Sequence, residues 1–164
     1  PSMSQSLSGL PNVIILRTLS KSYAFAGMRL GCFIAGDTDF IALARAKALD
    51  AYPIPRLTIE AEHHILSDEI LLIAQANIQK ILAERARMET ALSKSPLVKT
   101  VFQSDVNFLL VDMDRAGEFH AHCAKNGVIL RDFSTKPGTE NCLRISIGLP
   151  EENDRVLQLL EAFQ

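Results

Sequence analysis

Tryptophan is absent from this 164-residue sequence, and cysteine and tyrosine are scarce, with three and two residues respectively. The cysteines, Cys32, Cys123 and Cys142, are odd in number and show no C-x-x-C spacing. This pattern excludes a disulfide framework and a zinc site built from paired cysteines. A reducing compartment is the simplest interpretation, so we predict a cytoplasmic protein.

An excess of charge of either sign is also missing. Seventeen basic and nineteen acidic residues leave a formal net charge of −2, which gives no reason to expect nucleic acid or an anionic membrane as a partner. No apolar run approaches the ~20 residues that a helix needs to span a bilayer. The composition, 48% hydrophobic and 22% charged, is typical of a globular protein.

The few histidines do not indicate a metal site. His63 and His64 are adjacent and therefore point to different sides of a helix, and His120 and His122, two residues apart, diverge in the same way. No acidic residue completes a ligand set at a suitable spacing. The sequence therefore predicts no bound metal.

The most informative stretch is residues 17–31, which follow a short apolar run at residues 13–16. A run of this kind predicts a strand that is buried on both faces. Lys21 is then expected at the carboxyl end of that strand, which is the edge at which open α/β sheets bind their ligands. The position of Lys21 therefore indicates a ligand site.

The side chains around Lys21 indicate what that ligand contains. Lysine offers a nucleophilic amine that attacks a carbonyl carbon. The hydroxyls of Thr18 and Ser20, with the guanidinium of Arg29 eight residues after the lysine, suit a dianionic phosphate. A carbonyl and a phosphate in one small molecule indicate pyridoxal phosphate. From the residues alone, Arg29 stays open to a second interpretation as a surface ion-pair partner.

A family resemblance supports the first interpretation. The pattern Arg-Thr-Leu-Ser-Lys-x-Tyr-Ala-x-Ala-Gly-x-Arg-x-Gly at residues 17–31 resembles the Schiff-base lysine motif of fold-type-I pyridoxal-phosphate enzymes, and more closely that of the histidinol-phosphate aminotransferases. The resemblance implies that Lys21 forms the Schiff base and that Thr18, Ser20 and Arg29 hold the cofactor phosphate. It extends through the segments at residues 52–55, 106–108, 129–132 and 142–145.

Three further residues gain a role from this resemblance. Arg144 alternates with apolar residues on the predicted last strand and so points away from the face that they bury; the resemblance implies that it binds the anionic end of the substrate. Arg131 matches a second arginine that helps to bind the substrate phosphate, and Asn107 resembles an asparagine that lines the substrate site. The residues themselves leave a solvated Arg144 and an Arg131 paired with Asp132 as alternatives.

The order of elements predicts an α/β fold, namely the C-terminal part of a fold-type-I transferase. We expect residues 1–66 to be the remnant of the large cofactor-binding domain, residues 67–95 a long connecting helix, and residues 96–164 a small α/β domain. Strands are predicted at residues 13–16, 30–35, 98–102, 107–112, 128–131 and 143–147, helices at residues 57–66, 67–93 and around 116–125, a helix capped by Asp37 or Thr38, and a last helix from Pro150.

The first half of the sequence offers too little sheet to bury its own strand. Leaving the four apolar residues 13–16 in water costs roughly 6–12 kcal/mol, which is comparable with the whole stability of a small domain. Members of the resembling family are longer, and their lysine motif falls past the middle of the chain. We therefore expect a C-terminal fragment, and we expect these 164 residues alone not to transaminate.

The leading functional hypothesis is an aminotransferase of histidine biosynthesis. The resemblance implies transfer of an amino group between histidinol phosphate and 2-oxoglutarate by a homodimeric, pyridoxal-phosphate-dependent enzyme. Two alternatives keep the cofactor, a threonine-phosphate-type decarboxylase and a broad aromatic aminotransferase. A third, from another class, is a non-catalytic binding module.

Overall fold

A computed structural model describes residues 3–50 and 52–163 of the chain. The chain divides into two compact units, the first ending at Ala76 and the second beginning at Asn77. The division falls within the longest helix. The three-part organisation expected from the sequence stays a prediction.

The first unit contains a pair of strands and two complete helices. Its elements are a 3₁₀ helix (Met3–Gly9), then β1 (Ile14–Thr18), β2 (Gly31–Ala35), α1 (Thr38–Ala48), α2 (Arg56–Ile65) and the beginning of α3 (Asp68–Leu92). The two strands are antiparallel, with Thr18 opposite Gly31. The carboxylate of Asp37 accepts hydrogen bonds from the N–H groups of Asp39 and Phe40, which confirms the predicted cap of α1.

Strand β1 is less buried than the sequence predicted. Leu16 is 78% exposed and Ile14 is 48% exposed. Within the described residues the strand is therefore not buried on both faces, which agrees with the expectation that this half of the sequence offers too little sheet to bury it. The physical reason is that the sheet formed by the described residues of this unit has two strands, and an isolated pair of strands has neither flanking strands nor a second layer to cover both faces.

Gly36, directly after β2, marks a close approach between two backbone segments. A methyl group added there would collide with the carbonyl oxygen of buried Leu7 and lie 2.8 Å from its carbonyl carbon. We expect Gly36→Ala to lower the free energy of unfolding of the first unit by about 1–3 kcal/mol, because a backbone group cannot rotate out of the way as a side chain can. Urea unfolding measures this loss.

Gly9 provides the matched control, since a Cβ added to it meets no atom within 4 Å. Gly9→Ala is expected to leave the unfolding midpoint nearly unchanged. Equal midpoints for Gly36→Ala and the unmodified protein contradict the predicted collision.

The second unit is an antiparallel sheet with helices on one face. Its elements are the remainder of α3, then β3 (Val98–Val101), β4 (Phe108–Met113), α4 (Ala116–Lys125), β5 (Arg131–Asp132), β6 (Cys142–Ser146) and α5 (Pro150–Ala162). The strand order is β3-β4-β6-β5. The largest fully buried core side chains include Met88 and Leu92 of α3, Leu109 and Val111 of β4, Phe119 of α4, and Leu143 and Ile145 of β6.

The strand predicted at residues 128–131 is wrong in position, because β5 covers Arg131 and Asp132. Residues 128–130 instead form hydrogen bonds with residues of α4. Gly127 adopts a φ of +81°, and the N–H of Val128 donates to the carbonyl of Cys123 at 2.9 Å, which closes the helix in the manner of a glycine cap. The carbonyl of Leu130 accepts from Nε2 of His120 at 3.2 Å.

A buried asparagine on α5 links the segment that follows β6 to α3 within this unit. Asn153, which is 1% exposed, donates to Oε2 of Glu84 at 2.8 Å, and it exchanges hydrogen bonds with the N–H and the carbonyl of Gly148. Arg87 donates to the same Glu84 at 2.7 Å and to Asp154 at 2.6 Å. Hydrogen bonds from Arg87 and then from Asn153 hold the pKa of Glu84 below its ordinary value of 4.5.

We therefore expect protonation of Glu84 in acid to lower the free energy of unfolding of the second unit. A carboxyl whose pKa is lower in the folded state contributes stability that is fully present above its ordinary pKa and is lost as the pH falls through the lowered pKa. Glu84→Gln keeps an acceptor for Asn153 but cannot ionise. We expect this variant to show a flatter decline of Tm between about pH 5 and pH 3, measured by circular dichroism.

Glu118→Gln is the control for this prediction. Hydrogen bonding from Arg115 also lowers the pKa of Glu118, but the side chain of Glu118 is 63% exposed against 20% for Glu84. An exposed pair contributes little, so the control is expected to follow the unmodified protein. The same flattening in both variants, or in neither, contradicts the assignment to Glu84.

Candidate functional site

The predicted cofactor lysine lies in a compact loop that joins β1 to β2. This lysine loop, residues 19–30, is closed at its base by the N–H of Leu19, which donates to the carbonyl of Leu30 at 3.5 Å. The N–H of Phe25, a buried residue, donates back to the carbonyl of Leu19 at 3.2 Å. The N–H of Ala24 donates to the carbonyl of Lys21 at 3.2 Å. Lys21 therefore begins a tight turn, and its side chain is exposed.

Two hydroxyls meet at the base of the lysine loop. Oγ1 of Thr18 lies 2.8 Å from Oγ of Ser20 and accepts from the backbone N–H of Ser20 at 3.1 Å. Oγ1 of Thr18 also lies 3.4 Å from the carbonyl of Leu30. When Thr18 donates to Ser20, the proton of the Ser20 hydroxyl remains available for an anion, because a hydroxyl has one donor and two acceptor positions.

Arg29 lies at the other end of the lysine loop, next to Leu30. It follows a 3₁₀ turn (Ala26–Met28) and adopts a left-handed backbone with φ 55° and ψ 37°. Its N–H and its Nη1 both donate to the carbonyl of Ala26, at 3.3 and 3.1 Å. One of five guanidinium donors is used in this way, which leaves four for a ligand. Since Leu30, the next residue, is bonded to Leu19 and Thr18, the fold brings Arg29 to the hydroxyl end of the loop.

In the second unit, two predicted substrate residues lie side by side. Arg131 on β5 is directly opposite Arg144 on β6, so both occupy one face of the sheet. The guanidinium carbon of Arg144 lies 5.0 Å from the ring centroid of Phe108 and 5.9 Å from that of Phe133. Nε of Arg144 is buried and has no hydrogen-bond partner among residues 3–50 and 52–163. Like charges placed opposite each other repel, so the pair favours an anion.

Asn107 and Asp132 are the other residues that the sequence associates with this site, and no hydrogen bond or ion pair joins either of them to the two arginines in the described residues. Asn107 directly precedes β4 and is half-buried, and its carbonyl accepts from the N–H of Ile147 at 2.9 Å. Asp132, the alternative partner of Arg131, forms no ion pair with it in the described part of the chain. The hydroxyl and the N–H of Ser134 instead bind Asp132 and lower its pKa.

The aromatic contacts of Arg144 are absent from the sequence prediction. The alternation along β4 places Phe108 on the same face as Leu110, and Leu110 pairs with Arg144. That pairing joins residues 34 positions apart in the sequence and depends on the register between β4 and β6, which the sequence pattern does not specify. Phe133 lies in the irregular segment after β5 and carries no periodic signal.

Other classes of site find no support in the described residues. No group of three or more His, Cys, Asp or Glu side chains is placed to hold a metal ion, and no described helix is long and apolar enough to cross a membrane. Burial raises the pKa of the Cys123 thiol to about 11, which makes it a poor nucleophile at neutral pH.

The sequence matches the protein family described as Aminotransferase class I and II over residues 3–160. It is 39% identical over 161 residues to a histidinol-phosphate aminotransferase of Parabacteroides distasonis, which covers 98% of this chain and 46% of that protein. It is 42% identical over 155 residues to one of Aeromonas salmonicida, covering 94% and 43%. The chain therefore spans just under half the length of these curated relatives.

Solved structures show the same partial match. The histidinol-phosphate aminotransferase from Clostridium acetobutylicum superposes with a TM-score of 0.85 at 21% identity, over 99% of this chain and 48% of that one. The enzyme from Sinorhizobium meliloti, in complex with pyridoxal-5'-phosphate, gives 0.76 at 25%, over 98% and 44%. L-threonine-O-3-phosphate decarboxylase from Porphyromonas gingivalis gives 0.79 at 26%, over 98% and 49%. These similarities confirm the predicted fold class.

Proposed function

Because the chain belongs to the class I and II aminotransferase family, we propose that it forms the C-terminal part of an enzyme that transfers an amino group between histidinol phosphate and 2-oxoglutarate. The family depends on pyridoxal phosphate. The observation that supports the proposal is the lysine loop, in which Lys21 begins a tight turn, the hydroxyls of Thr18 and Ser20 meet, and Arg29 keeps unused guanidinium donors.

The residues of the lysine loop fit the cofactor. A phosphate dianion needs several donors, and the hydroxyl of Ser20, which Thr18 orients by donating to it, and the unused N–H groups of Arg29 would supply them. Lys21 supplies the primary amine for the aldehyde carbon. When bound, the cofactor supplies an electron-withdrawing ring that makes the substrate carbon next to the amino group acidic.

The remaining chemistry assigned to this chain is proton transfer and anion binding. Nζ of Lys21, when its amine is neutral, is a base that can accept a proton from carbon and return it from the ammonium form. Arg144 and Arg131 present two guanidinium groups from one face of the sheet, which suits the phosphate of histidinol phosphate and a carboxylate of 2-oxoglutarate in turn. Asn107, which the family resemblance associates with the substrate site, would supply an amide hydrogen bond. A homodimer in the cytoplasm, implied by the family resemblance, is part of the proposal.

A second candidate function is decarboxylation of a phosphorylated amino acid. The similarity to a threonine-phosphate decarboxylase favours it, because both substrates carry a phosphate that the arginine pair would bind. A broad aromatic aminotransferase lacks this link, since its substrates have no phosphate. A non-catalytic binding module requires no reactive lysine, so this hypothesis does not account for the lysine loop.

The test of the cofactor assignment uses the longer polypeptide of which we propose this chain to be a part. The purified protein is mixed with pyridoxal phosphate, reduced with borohydride and digested, and the modified peptide is identified by mass spectrometry. We expect the reduced adduct on Lys21. An adduct on another lysine, or none, overturns the assignment.

Substrate assays then separate the candidate reactions. Histidinol phosphate with 2-oxoglutarate is compared with threonine phosphate and with phenylalanine, following glutamate and carbon dioxide as products. Glutamate formed from histidinol phosphate at the highest kcat/KM supports the leading proposal, and carbon dioxide released from threonine phosphate replaces it with the second candidate. The 164-residue chain alone is expected to form neither product.

A further inference from the structure

Thr58, on α2, is a buried polar residue with no role in the assignments above. It is 3% exposed, and it is the one buried polar side chain among the described residues of the first unit. Its hydroxyl donates to the carbonyl of Met28 at 3.3 Å. Met28 directly precedes Arg29, so a helix far along the chain contacts the residue next to the proposed phosphate ligand.

With this hydrogen bond, both polar atoms of a single peptide group are hydrogen-bonded. The peptide that joins Met28 to Arg29 has its N–H bonded to the carbonyl of Ala26 and its carbonyl oxygen bonded to Thr58. Because both polar atoms are hydrogen-bonded, rotation of this peptide plane is restricted. The orientation of the plane in turn sets the φ angle of Arg29. The value of 55° is one that arginine seldom adopts unless its surroundings impose it.

A cleft lies beside this hydrogen bond. It has a volume of about 340 Å³ and is lined by residues 27–30 of the lysine loop and by residues 53–55, 57 and 58. Among the described residues, the hydroxyl of Thr58 forms the side-chain hydrogen bond that crosses from α2 to the loop. Next to this open space, the hydrogen bond gives the loop a directional contact with α2.

We propose that Thr58 is a positioning residue for phosphate recognition: through the carbonyl of Met28 it fixes the backbone of Arg29 so that the guanidinium is presented to the cofactor phosphate. This inference rests on the proposed function, in which Arg29 binds that phosphate. It predicts that Thr58 affects the phosphate-dependent part of cofactor binding and leaves the part that depends on the aldehyde and Lys21 unchanged.

The test compares two ligands that differ by the phosphate. The apo form of the longer polypeptide is titrated with pyridoxal phosphate and with pyridoxal, and both Kd values are measured from absorbance. Thr58→Val removes the donor at nearly constant shape, and we expect it to weaken binding of pyridoxal phosphate about tenfold while binding of pyridoxal changes by less than about twofold. Thr58→Ser keeps the donor and is expected to retain the ratio of the unmodified protein.

Each outcome decides between a positioning role and a structural one. Equal weakening of both ligands by Thr58→Val overturns the inference and leaves Thr58 as a structural residue, and so does no change in either. Arg29→Met tests the premise separately, since it should sharply reduce the preference for pyridoxal phosphate. If that preference is unchanged, the role of Arg29 in the proposed function is wrong. If Thr58→Val does not fold, Thr58→Ala replaces it in the same comparison with Thr58→Ser.

Discussion

Replacement of Lys21 by arginine in the longer polypeptide is expected to lower kcat for transamination by at least about 10³-fold. Arginine keeps the positive charge but stays protonated at any accessible pH, so it offers neither a nucleophilic amine nor a base. The proposed phosphate ligands Thr18, Ser20 and Arg29 are unchanged, and the cofactor should still bind without a covalent link. Initial rates with histidinol phosphate and 2-oxoglutarate measure the loss, and borohydride treatment should leave no adduct.

Lys47 provides the matched control for this substitution. It is exposed in the last turn of α1, and Lys47→Arg is expected to leave kcat and the borohydride adduct unchanged. A Lys21→Arg variant that turns over at the rate of the unmodified protein would falsify the assignment of Lys21. A loss of the same size in the control would point to a general effect on folding.

Arg144→Met is expected to lower kcat/KM for the phosphorylated substrate by about 10²–10³-fold, mainly through KM. Removing one partner of a buried, charge-assisted contact costs several kcal/mol, and each 1.4 kcal/mol corresponds to about tenfold. Arg131, its neighbour across the sheet, would remain but is more exposed. Arg144→Lys is expected to recover part of the loss, because it restores the charge without the planar two-donor contact.

Arg155 offers a comparison within the same unit. It is an exposed arginine on α5, and Arg155→Met changes the net charge by the same amount as Arg144→Met. We expect it to leave kcat/KM close to that of the unmodified protein. If both variants lose the same amount, the effect is one of overall charge, and Arg144 has no specific role in binding the substrate.

The elements that the sequence predicted well are those whose boundaries are fixed by local chemistry. Asp37 caps α1 through its own carboxylate, and Pro150 begins α5 at a position that needs no N–H donor. Gly127 ends α4 with the positive φ expected of a glycine. Each of these signals acts within a few residues, so a single sequence is enough to find it.

The elements that differ from the prediction depend on distant parts of the chain. The burial of β1 is set by whatever else covers its sheet, which an apolar run cannot specify. The position of β5 was displaced because His120, on the preceding helix, binds the carbonyl of Leu130. An apolar stretch at residues 128–131 carries no information about that contact.

The candidate site divides in the same way. Lys21, with Thr18, Ser20 and Arg29, lies in one contiguous motif, so the sequence was enough to propose all four. Thr58 lies 30 residues from Met28, and an isolated threonine at the start of a helix carries no sign of such a contact. The contact between Thr58 and Met28 depends on the three-dimensional fold.

In the sheet of the second unit, alternate positions of one strand serve core packing and the proposed binding of an anion. Leu143 and Ile145 of β6 are buried in the core, whereas Arg144 between them lies on the opposite face. Substitutions at the inner positions are expected to alter folding, and those at the outer position to alter which anion is recognised. A change of substrate at the outer position therefore need not disturb the core, which is a physical reason why one fold can carry both transaminating and decarboxylating sites.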